Sequence, residues 1–321
     1  MANLKELSKT MPERLSSGHR LCAGCGASIV VRQILMGTKD PVVIGASTGC
    51  LEVATTIYPY TAWEVPFIHN AFENVAATMS GVETAYRALK KKGKITKEIK
   101  FIAFGGDGGT YDIGLQALSG ALERGHRFVY VCYDNQAYMN TGIQRSGATP
   151  KGASTTTAPS GKESFGKHQK RKNLTAIVAA HNIPYVAQGS VSHWNDLITK
   201  AEKAFNADGP AFLNVISLCH RGWRFPQKDT VKVSKLAVDT CVWPLYEIAN
   251  GRLKINYKPK TKLPVSEWLK VQGRFSHLKK AEFAHITEEI QREVDSEWDR
   301  LVKREAFEQS LSQKDTSGEE K

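Results

Sequence analysis

The stretch from residue 101 to residue 142 constrains the fold of this chain more than any other part of the sequence. Residues 101–104 form a short apolar run, which is typical of a buried parallel strand, and a turn with four glycines follows. Apolar residues then recur at helical spacing from residue 112 up to Gly125, where a glycine suits a helix C-terminus. A second apolar run at 128–133 ends on an Asp-Asn pair. The order strand, glycine turn, helix, strand predicts one unit of an α/β sheet.

The glycine turn predicts a site for a diphosphate group. Glycines allow the backbone to approach a ligand closely, and the following helix N-terminus offers unpaired N–H groups and a partial positive charge. Asp107 lies within the turn and Asn135 follows the next strand, so we expect both at the ligand-binding edge of the sheet. A carboxylate, an amide oxygen and a backbone carbonyl suit Mg²⁺ together with diphosphate oxygens. The alternative for each residue alone is a helix cap at Asp107 and a loop turn at Asn135.

The remaining sequence alternates between helical and strand patterns. Such alternation predicts a doubly wound, mostly parallel α/β sheet in one large domain with additions at its ends. Residues 231–235 and 244–257 predict short strands and turns, and the polar loop 144–172 has no period, so it is either functional or disordered. The predicted division of the chain is an N-terminal extension at 1–17, a cofactor-binding domain at 18–230, a C-terminal extension with a long final helix at 231–309, and a disordered tail at 310–321.

The charge of the chain bears on its partners and its location. The formal net charge is +12, but neither of the basic clusters at 90–94 and 162–172 is interleaved with aromatic side chains in the manner of a protein that binds single-stranded nucleic acid. Such clusters are more typical of a solvated surface than of a nucleic-acid site. No apolar run is long enough for a membrane span, and the first residues lack the apolar segment of a signal peptide. We therefore expect a cytoplasmic protein that binds neither nucleic acid nor membrane.

The cysteine positions indicate a second site. Six cysteines in a cytoplasmic chain do not predict a disulfide framework. Cys22 and Cys25 form a Cys-x-x-Cys pair, which is compatible with half a zinc site, a redox pair or two ligands of an iron–sulfur cluster. Cys50 and Cys219 each follow a predicted strand, and no second close pair completes a zinc ribbon. Four thiolates from three loops at one sheet edge would suit a [4Fe–4S] cluster.

Five segments of the sequence resemble the β subunits of 2-oxoacid:ferredoxin oxidoreductases. The resemblance covers roughly residues 18–273 and includes the pyruvate-oxidising members of that family. The motifs are long, which makes the resemblance specific. They are GHRLCAGCG, ASTGCLE, YPYTAWEVPFIHNAFENVAA, GGDGGTYDIGLQALSGALERGH and YDNQAYMNTGIQRSGATP.

The resemblance implies a thiamine-diphosphate-binding fold and a role for individual residues. The implied ligands of a [4Fe–4S] cluster are Cys22, Cys25, Cys50 and Cys219. The implied ligands of Mg²⁺ are Asp107, Asn135 and the main-chain carbonyl of Ala137. The implied contacts of thiamine diphosphate are Gly106, Asp107, Gly108, Gly109, Asn135 and Thr141, and the implied catalytic residue near the substrate is Asn140. Some relatives have Cys-Pro-Thr-Gly-Trp where this chain has Cys-His-Arg-Gly-Trp from residue 219, so the surroundings of that ligand differ from the family pattern.

The activity implied by the resemblance is a reversible oxidative decarboxylation in anaerobic metabolism. Pyruvate and coenzyme A would give acetyl-CoA and CO₂, and ferredoxin would be reduced. Sister subunits of α, γ and δ type would complete the enzyme, and the α subunit would carry the glutamate that activates the cofactor, so this chain would be inactive alone. The alternatives are the same chemistry on oxalate, 2-oxoglutarate or a branched-chain acid, and, from a different class, a basic zinc-stapled protein that binds nucleic acid.

Overall fold

A central eight-stranded sheet organises the chain. The computed structural model describes residues 4–318, with side chains up to residue 311. The strands are β1 (Val42–Ser47), β2 (Phe67–Asn70), β3 (Lys100–Gly106), β4 (Val129–Asp134), β5 (Tyr185–Ser190), β6 (Ala211–Ile216), β7 (Leu245–Ala249) and β8 (Arg252–Tyr257). Their order in the sheet is β2-β1-β3-β4-β6-β5-β7-β8. The first six in this order pair in parallel, and β7 pairs antiparallel with both β5 and β8, so the predicted mostly parallel sheet is confirmed.

Helices cover both faces of the sheet, as a doubly wound fold requires. They are α1 (Leu4–Thr10), α2 (Gly26–Leu35), α3 (Cys50–Thr55), α4 (Val75–Lys91), α5 (Leu115–Glu123), α6 (Leu174–Ala179), α7 (Trp194–Asn206), α8 (His220–Trp223), α9 (Thr230–Asp239), α10 (Val265–Leu269) and α11 (Ala284–Gly318). One apolar core includes α2 and α7, and a second includes α4, α5, α6 and part of α11. Among the helices of the described residues, none combines the length and the apolar character needed to cross a membrane.

The central strands are apolar because helices cover them on both sides. Every residue of β4 is buried, and so are the five middle residues of β3. A parallel strand with two covered faces needs a continuous apolar run instead of an alternating pattern. In α2, the fully buried Val30, Val31 and Ile34 share one face of the helix. These burial patterns are the reason why both kinds of element were visible in the sequence.

The strand order reverses between β1 and β3. β1 pairs with β2 on one side and with β3 on the other. After β2 the chain therefore crosses back over β1 and adds the next strands on the opposite side of it. In open α/β sheets, ligands bind at the carboxyl ends of the strands where the order reverses in this way. The turn after β1 carries Cys50, and the turn after β3 carries Asp107. The fold thus brings a predicted cluster ligand and the predicted diphosphate turn to the same crevice.

The C-terminal region departs from its predicted secondary structure. The strand predicted at 231–235 is wrong, because this segment belongs to α9, in which Val233, Ala237 and Val238 bury one helical face. β7 and β8 form a hairpin that extends the main sheet. The tail that was predicted to be disordered from Ser310 is helical up to Gly318, where α11 ends. Residues 1–3 of the predicted N-terminal extension and residues 319–321 of the predicted tail lie outside the described residues, and the domain boundaries stay a prediction.

Candidate functional site

Asp107 directly follows β3, and both oxygens of its side-chain carboxyl group accept hydrogen bonds. Its Oδ1 accepts the backbone N–H of Asn135 at 3.1 Å, and its Oδ2 accepts the hydroxyl of Ser146 at 2.5 Å. Asp107 is 1% exposed. Burial raises the pKa of Asp107 well above its usual range, and the neighbouring Asp134 raises it further. A buried carboxylate in these surroundings is stabilised by any cation that binds to it.

Asn135 and Ala137 complete a group of oxygens around Asp107. The side-chain amide of Asn135 can take two orientations. When its nitrogen faces Ala137 and Asp107, it donates to the carbonyl oxygen of Ala137 at 2.7 Å and to Asp107 Oδ1 at 2.8 Å. In the opposite orientation the amide oxygen takes that place, and three oxygens meet without a proton between them. A cation would stabilise this second arrangement, since adjacent ligands of an octahedral ion with bonds of about 2.1 Å lie about 3 Å apart. The three predicted magnesium ligands are therefore brought together.

The glycine turn after β3 is packed tightly against two aromatic residues. A Cβ atom on Gly108 would lie 2.3 Å from the ring of Tyr138, and one on Gly109 would lie 2.7 Å from the carbonyl oxygen of Phe72. The Tyr138 hydroxyl also donates to the Gly108 carbonyl at 2.9 Å. Glycine is needed at both positions because no Cβ fits there. The chain continues through one π-helical turn, Gly108–Ile113, into α5.

One cavity at this edge is lined by every residue predicted to bind the cofactor or to act in catalysis. These residues are Gly106, Asp107, Gly108, Gly109, Asn135, Asn140 and Thr141. Asn140 and Thr141 are exposed, so they belong to its rim. Ala137 and Cys50 line the same cavity. A predicted cluster ligand therefore opens onto the predicted diphosphate site.

A second carboxylate, Asp134, lies beneath the cavity and was not among the predicted site residues. It is fully buried, and its Oδ2 accepts the Tyr111 hydroxyl at 2.6 Å and Arg171 Nη2 at 3.0 Å. Burial raises the pKa of Asp134, and the charge of Arg171 opposes that effect. Arg171 belongs to the polar loop 144–172, as does Ser146, which binds Asp107. This loop therefore supports the two carboxyl groups of the site.

Direct packing of two turns brings Cys22, Cys25 and Cys219 to the same edge. The N–H of Cys25 donates to the carbonyl of Cys22 at 3.0 Å, which closes the Cys-x-x-Cys turn. The N–H of Gly26 donates to the carbonyl of Leu218 at 3.0 Å. A Cβ atom on Gly26 would lie 2.6 Å from the backbone nitrogen of Leu218, so only glycine permits this approach.

The predicted cluster cysteines affect one another's ionisation. Burial raises the pKa of Cys50 to about 12, with further contributions from Cys219, Cys25 and Cys22. Burial also raises the pKa of Cys25 to about 11 and increases that of Cys219. Among the described residues, no group of three or more His, Cys, Asp or Glu side chains is suited to a metal ion. Cys22, Cys25 and Cys219 are nevertheless close enough to Cys50 to influence its ionisation.

Three further residues belong to this region and gave no sequence signal. Tyr133 lines the cavity, and its buried hydroxyl has no hydrogen-bond partner in the part of the chain that the structure describes. Its place in an apolar strand resembles that of a core residue. Ser146 lies in a loop without periodicity. Arg274 donates to the side chain of Gln136 at 2.6 Å, and no spacing in the sequence relates these two positions.

Known proteins are similar to this chain over most of its length. The family described as thiamine pyrophosphate enzyme, C-terminal TPP binding domain, matches residues 35–215. The pyruvate synthase subunit PorB of Thermotoga maritima is 56% identical over 310 residues, which cover 94% of this chain and 95% of that protein. The pyruvate synthase subunit PorB of Methanothermobacter thermautotrophicus is 54% identical over 278 residues, which cover 87% of this chain and 95% of that protein.

Two other comparisons involve different 2-oxoacids. The ketoisovalerate oxidoreductase subunit VorB of Pyrococcus abyssi is 44% identical over 303 residues, which cover 93% of this chain and 96% of that protein. A solved 2-oxoglutarate:ferredoxin oxidoreductase from Magnetococcus marinus, with 2-oxoglutarate, coenzyme A and succinyl-CoA bound, covers 84% of this chain and 96% of its own matched chain. The TM-score is 0.55 and the identity is 18%, so this likeness concerns the fold alone.

Proposed function

Because this chain belongs to the PorB-type β subunits of 2-oxoacid:ferredoxin oxidoreductases, within the thiamine pyrophosphate enzymes, we propose that it holds the thiamine diphosphate of an enzyme that oxidises pyruvate. Pyruvate and coenzyme A would be converted reversibly to acetyl-CoA and CO₂, with ferredoxin as the electron acceptor. One observation carries this proposal: oxygens of Asp107, Asn135 and Ala137 meet at a cavity that Cys50 also lines.

Mg²⁺ would link the diphosphate of the cofactor to these oxygens. We assign Asp107, Asn135 and the Ala137 carbonyl as its protein ligands, with the amide oxygen of Asn135 facing the ion. The hydroxyl of Ser146 fixes the second oxygen of the Asp107 carboxylate. Because burial raises the pKa of Asp107, binding of the ion requires the loss of a proton that this carboxyl retains more strongly than usual.

The glycine turn would contact the diphosphate itself. Gly108 and Gly109 leave no room for side chains, and Gly106 and Thr141 line the same cavity. Backbone N–H groups of such a turn are accessible to phosphate oxygens. Bound thiamine diphosphate supplies an electron sink for decarboxylation, and the chain orients it. We assign Asn140, on the exposed rim, the role next to the substrate.

We assign Cys22, Cys25, Cys50 and Cys219 to a [4Fe–4S] cluster. The other three cysteines contribute to the raised pKa of Cys50, which supports their proximity. In such a cluster each cysteine binds a different iron, whereas the ligands of a zinc ion bind one atom about 2.3 Å away. Four thiolates from neighbouring turns are the donor set that such a cluster requires. Because Cys50 lines the cofactor cavity, this electron acceptor would stand beside the cofactor.

Sister subunits of α, γ and δ type are proposed to complete the enzyme. Ile113, at the end of the π-helical turn, is 57% exposed although it is apolar, and the rim residues Asn140 and Thr141 are also exposed. A sister subunit seated on this rim would enclose the pyrimidine end of the cofactor and supply the glutamate that activates it. This chain alone would therefore bind the diphosphate end and be inactive, and ferredoxin would accept electrons from the complete complex.

A branched-chain 2-oxoacid is the second candidate substrate. The specific observation is the 44% identity to a ketoisovalerate oxidoreductase subunit, compared with 56% and 54% for the two pyruvate synthase subunits. Similarity to the 2-oxoglutarate enzyme is limited to the fold, and nothing in the described residues favours oxalate. Pyruvate is therefore the first candidate.

Steady-state kinetics of the whole anaerobic complex test the proposal. Coenzyme A-dependent reduction of ferredoxin is measured with pyruvate, 2-oxoisovalerate, 2-oxoglutarate and oxalate, with and without thiamine diphosphate and Mg²⁺. We expect the highest kcat/KM for pyruvate, and activity only when both cofactors are present. A higher kcat/KM for 2-oxoisovalerate would assign the second candidate. Turnover that survives complete removal of thiamine diphosphate would overturn the proposal.

A further inference from the structure

Arg274 is a buried cation between the two parts of the site. It is 2% exposed. Its Nε donates to Gln272 Oε1 at 2.9 Å and its Nη2 donates to Gln136 Oε1 at 2.6 Å, so both partners are neutral amides. Within the described residues, no carboxylate forms an ion pair with it at salt-bridge distance. A charge buried in this way is costly unless negative charge lies nearby.

Aromatic rings hold the guanidinium group of Arg274 in place. Its central carbon lies 3.8 Å from the ring centroid of Trp223 and 5.6 Å from that of Trp268. Trp223 ends the short helix that follows Cys219, and its Nε1 donates to the carbonyl of Asn135 at 2.7 Å. The rings keep water away from the charge, so its field is screened less than that of a surface arginine. Arg274 is therefore fixed between a cysteine turn and the predicted magnesium turn.

The negative groups near Arg274 are the acids of the site. Its charge interacts with those of Asp134, Cys219 and Asp107. Asp134 already forms an ion pair with Arg171 at 3.0 Å, and the two oxygens of Asp107 accept hydrogen bonds from the N–H of Asn135 and the hydroxyl of Ser146. Burial lowers the pKa of Arg274, but a guanidinium group keeps its proton in proteins. Arg274 is thus left without a directly paired carboxylate among the described residues, and an anionic group bound at the thiols would stabilise its charge.

We propose that Arg274 raises the reduction potential of the group that the four cysteines hold. This inference rests on the proposed [4Fe–4S] cluster. Reduction adds one electron and makes that group more negative, so a fixed and poorly screened positive charge near Cys219 stabilises the reduced form more than the oxidised form. Arg274 does not line the proposed cofactor cavity. It acts on the electron acceptor through its charge, from a region that the sequence assigns to the C-terminal extension.

Three substitutions in the whole anaerobic complex test this role. Arg274→Gln removes the buried charge, and Arg274→Lys retains it. Arg221→Gln is the matched control, because it removes an exposed charge two residues after Cys219. The midpoint potential of the cluster is measured by redox titration followed by EPR, without substrate, together with iron and sulfide content. We expect a more negative potential for Arg274→Gln, a value near wild type for Arg274→Lys, and no shift for Arg221→Gln, since solvent and salt screen that charge.

A fourth variant keeps the test decisive if Arg274→Gln does not assemble. Gln136→Glu places a carboxylate on the atom that accepts from Arg274, which neutralises the charge while the arginine stays. It too should make the potential more negative. Equal shifts in Arg274→Gln and Arg274→Lys, or a normal cluster with an unchanged potential in Arg274→Gln or Gln136→Glu, would overturn the role of Arg274 alone. A wild-type complex without iron and sulfide would overturn the proposed cluster and this inference together.

Discussion

The diphosphate turn and the cysteine set share one edge of the sheet but differ in how the chain builds them. The turn comes from one continuous stretch, and its central acid, Asp107, already accepts hydrogen bonds from Asn135 and Ser146. The cysteines come from three separate turns, and burial raises the pKa of Cys25 to about 11 and of Cys50 to about 12. Such thiols are protonated at neutral pH until a positively charged group binds among them. The first region is preorganised by the protein, and the second depends on what it binds.

Because the two regions are built differently, the effects of substitutions in each of them should be measurable separately. A change in the cysteine set should remove the electron acceptor and leave cofactor affinity intact, and a change in the diphosphate turn should do the reverse. A substitution that damages both properties would mean that the regions fold as one unit.

Cys50→Ser should have the largest effect. This substitution would remove a proposed cluster ligand, and no second cysteine lines the cavity in the described part of the chain, so we expect loss of iron and sulfide and a decrease in ferredoxin reduction of about three orders of magnitude or more. Iron analysis and isothermal titration with thiamine diphosphate measure the two properties on the same complex. Cys241→Ser is the control, since Cys241 is a buried thiol that does not line the cavity. Full iron content in Cys50→Ser would contradict the ligand assignment.

Asp107→Asn should have the next largest effect. It keeps the size of the side chain and removes the charge that faces the ion, so Mg²⁺-dependent affinity for thiamine diphosphate should fall at least about 100-fold, because changes outside the ligand sphere already cost about 10- to 100-fold. The visible spectrum of the cluster should not change. Asp112→Asn provides the control, since Asp112 binds Gly147 and Lys172 outside the cavity. Wild-type affinity in Asp107→Asn would refute the magnesium site.

Ser146→Ala should change the pH dependence of cofactor binding. In the proposed site Mg²⁺ would bind the ionised Asp107 carboxylate, so affinity for thiamine diphosphate should fall as the pH decreases through the raised pKa of Asp107. The Ser146 hydroxyl stabilises the ionised form, and its removal raises that pKa further. The midpoint should therefore move to higher pH by up to about one unit, which equals about 1.4 kcal/mol.

Affinity for thiamine diphosphate measured across a pH series gives this midpoint. Ser119→Ala is a suitable control, because Ser119 lies on α5 and bonds to His181. A midpoint that moves to lower pH, or that equals the one in Ser119→Ala, would show that Ser146 does not support the carboxylate.

Tyr133→Phe should have the smallest effect and concerns the boundary between the two regions. A Cβ atom on Gly49 would lie 2.6 Å from its hydroxyl, and one on Gly106 would lie 3.3 Å from it. The hydroxyl has no partner among the described residues, so its removal should leave the unfolding free energy of the protein without cofactor within about 0.5 kcal/mol. Cofactor affinity should decrease about 3- to 10-fold if a bound group accepts this hydrogen bond. A large loss of stability would mean that the hydroxyl serves the fold.

The difference between the two regions also explains what the sequence could predict. The strands around residues 101–104 and 128–133 were visible because burial on both faces requires apolar runs, and the turn between them was visible because it needs glycines. The segment 231–235 was assigned to the wrong element because two valines alternate with polar residues there, although its buried positions follow helical spacing. The local hydrophobic pattern predicts secondary structure correctly where tertiary packing buries the positions that the pattern indicates.

Contacts between segments that are far apart in the sequence could not be predicted from a local pattern. The packing of Gly26 against Leu218 joins two cysteine turns, but each residue alone looks like part of an ordinary turn or strand end. Arg274 reaches Gln136 across 138 positions, and its chemical setting depends on aromatic rings from two other segments. The four cysteines were identified from the resemblance of sequence motifs. Arg274 was identified only from its contacts in the three-dimensional structure.

Reduction of the cluster by substrate, in the absence of ferredoxin, tests the central claim that both regions form one site. The anaerobic complex is mixed with pyruvate and coenzyme A, frozen rapidly and analysed by EPR and for iron and zinc, in wild type and in Asp107→Asn. The account predicts an iron-containing centre that pyruvate reduces in wild type but that only dithionite reduces in Asp107→Asn. Zinc in place of iron, or undiminished reduction by pyruvate in Asp107→Asn, would contradict it.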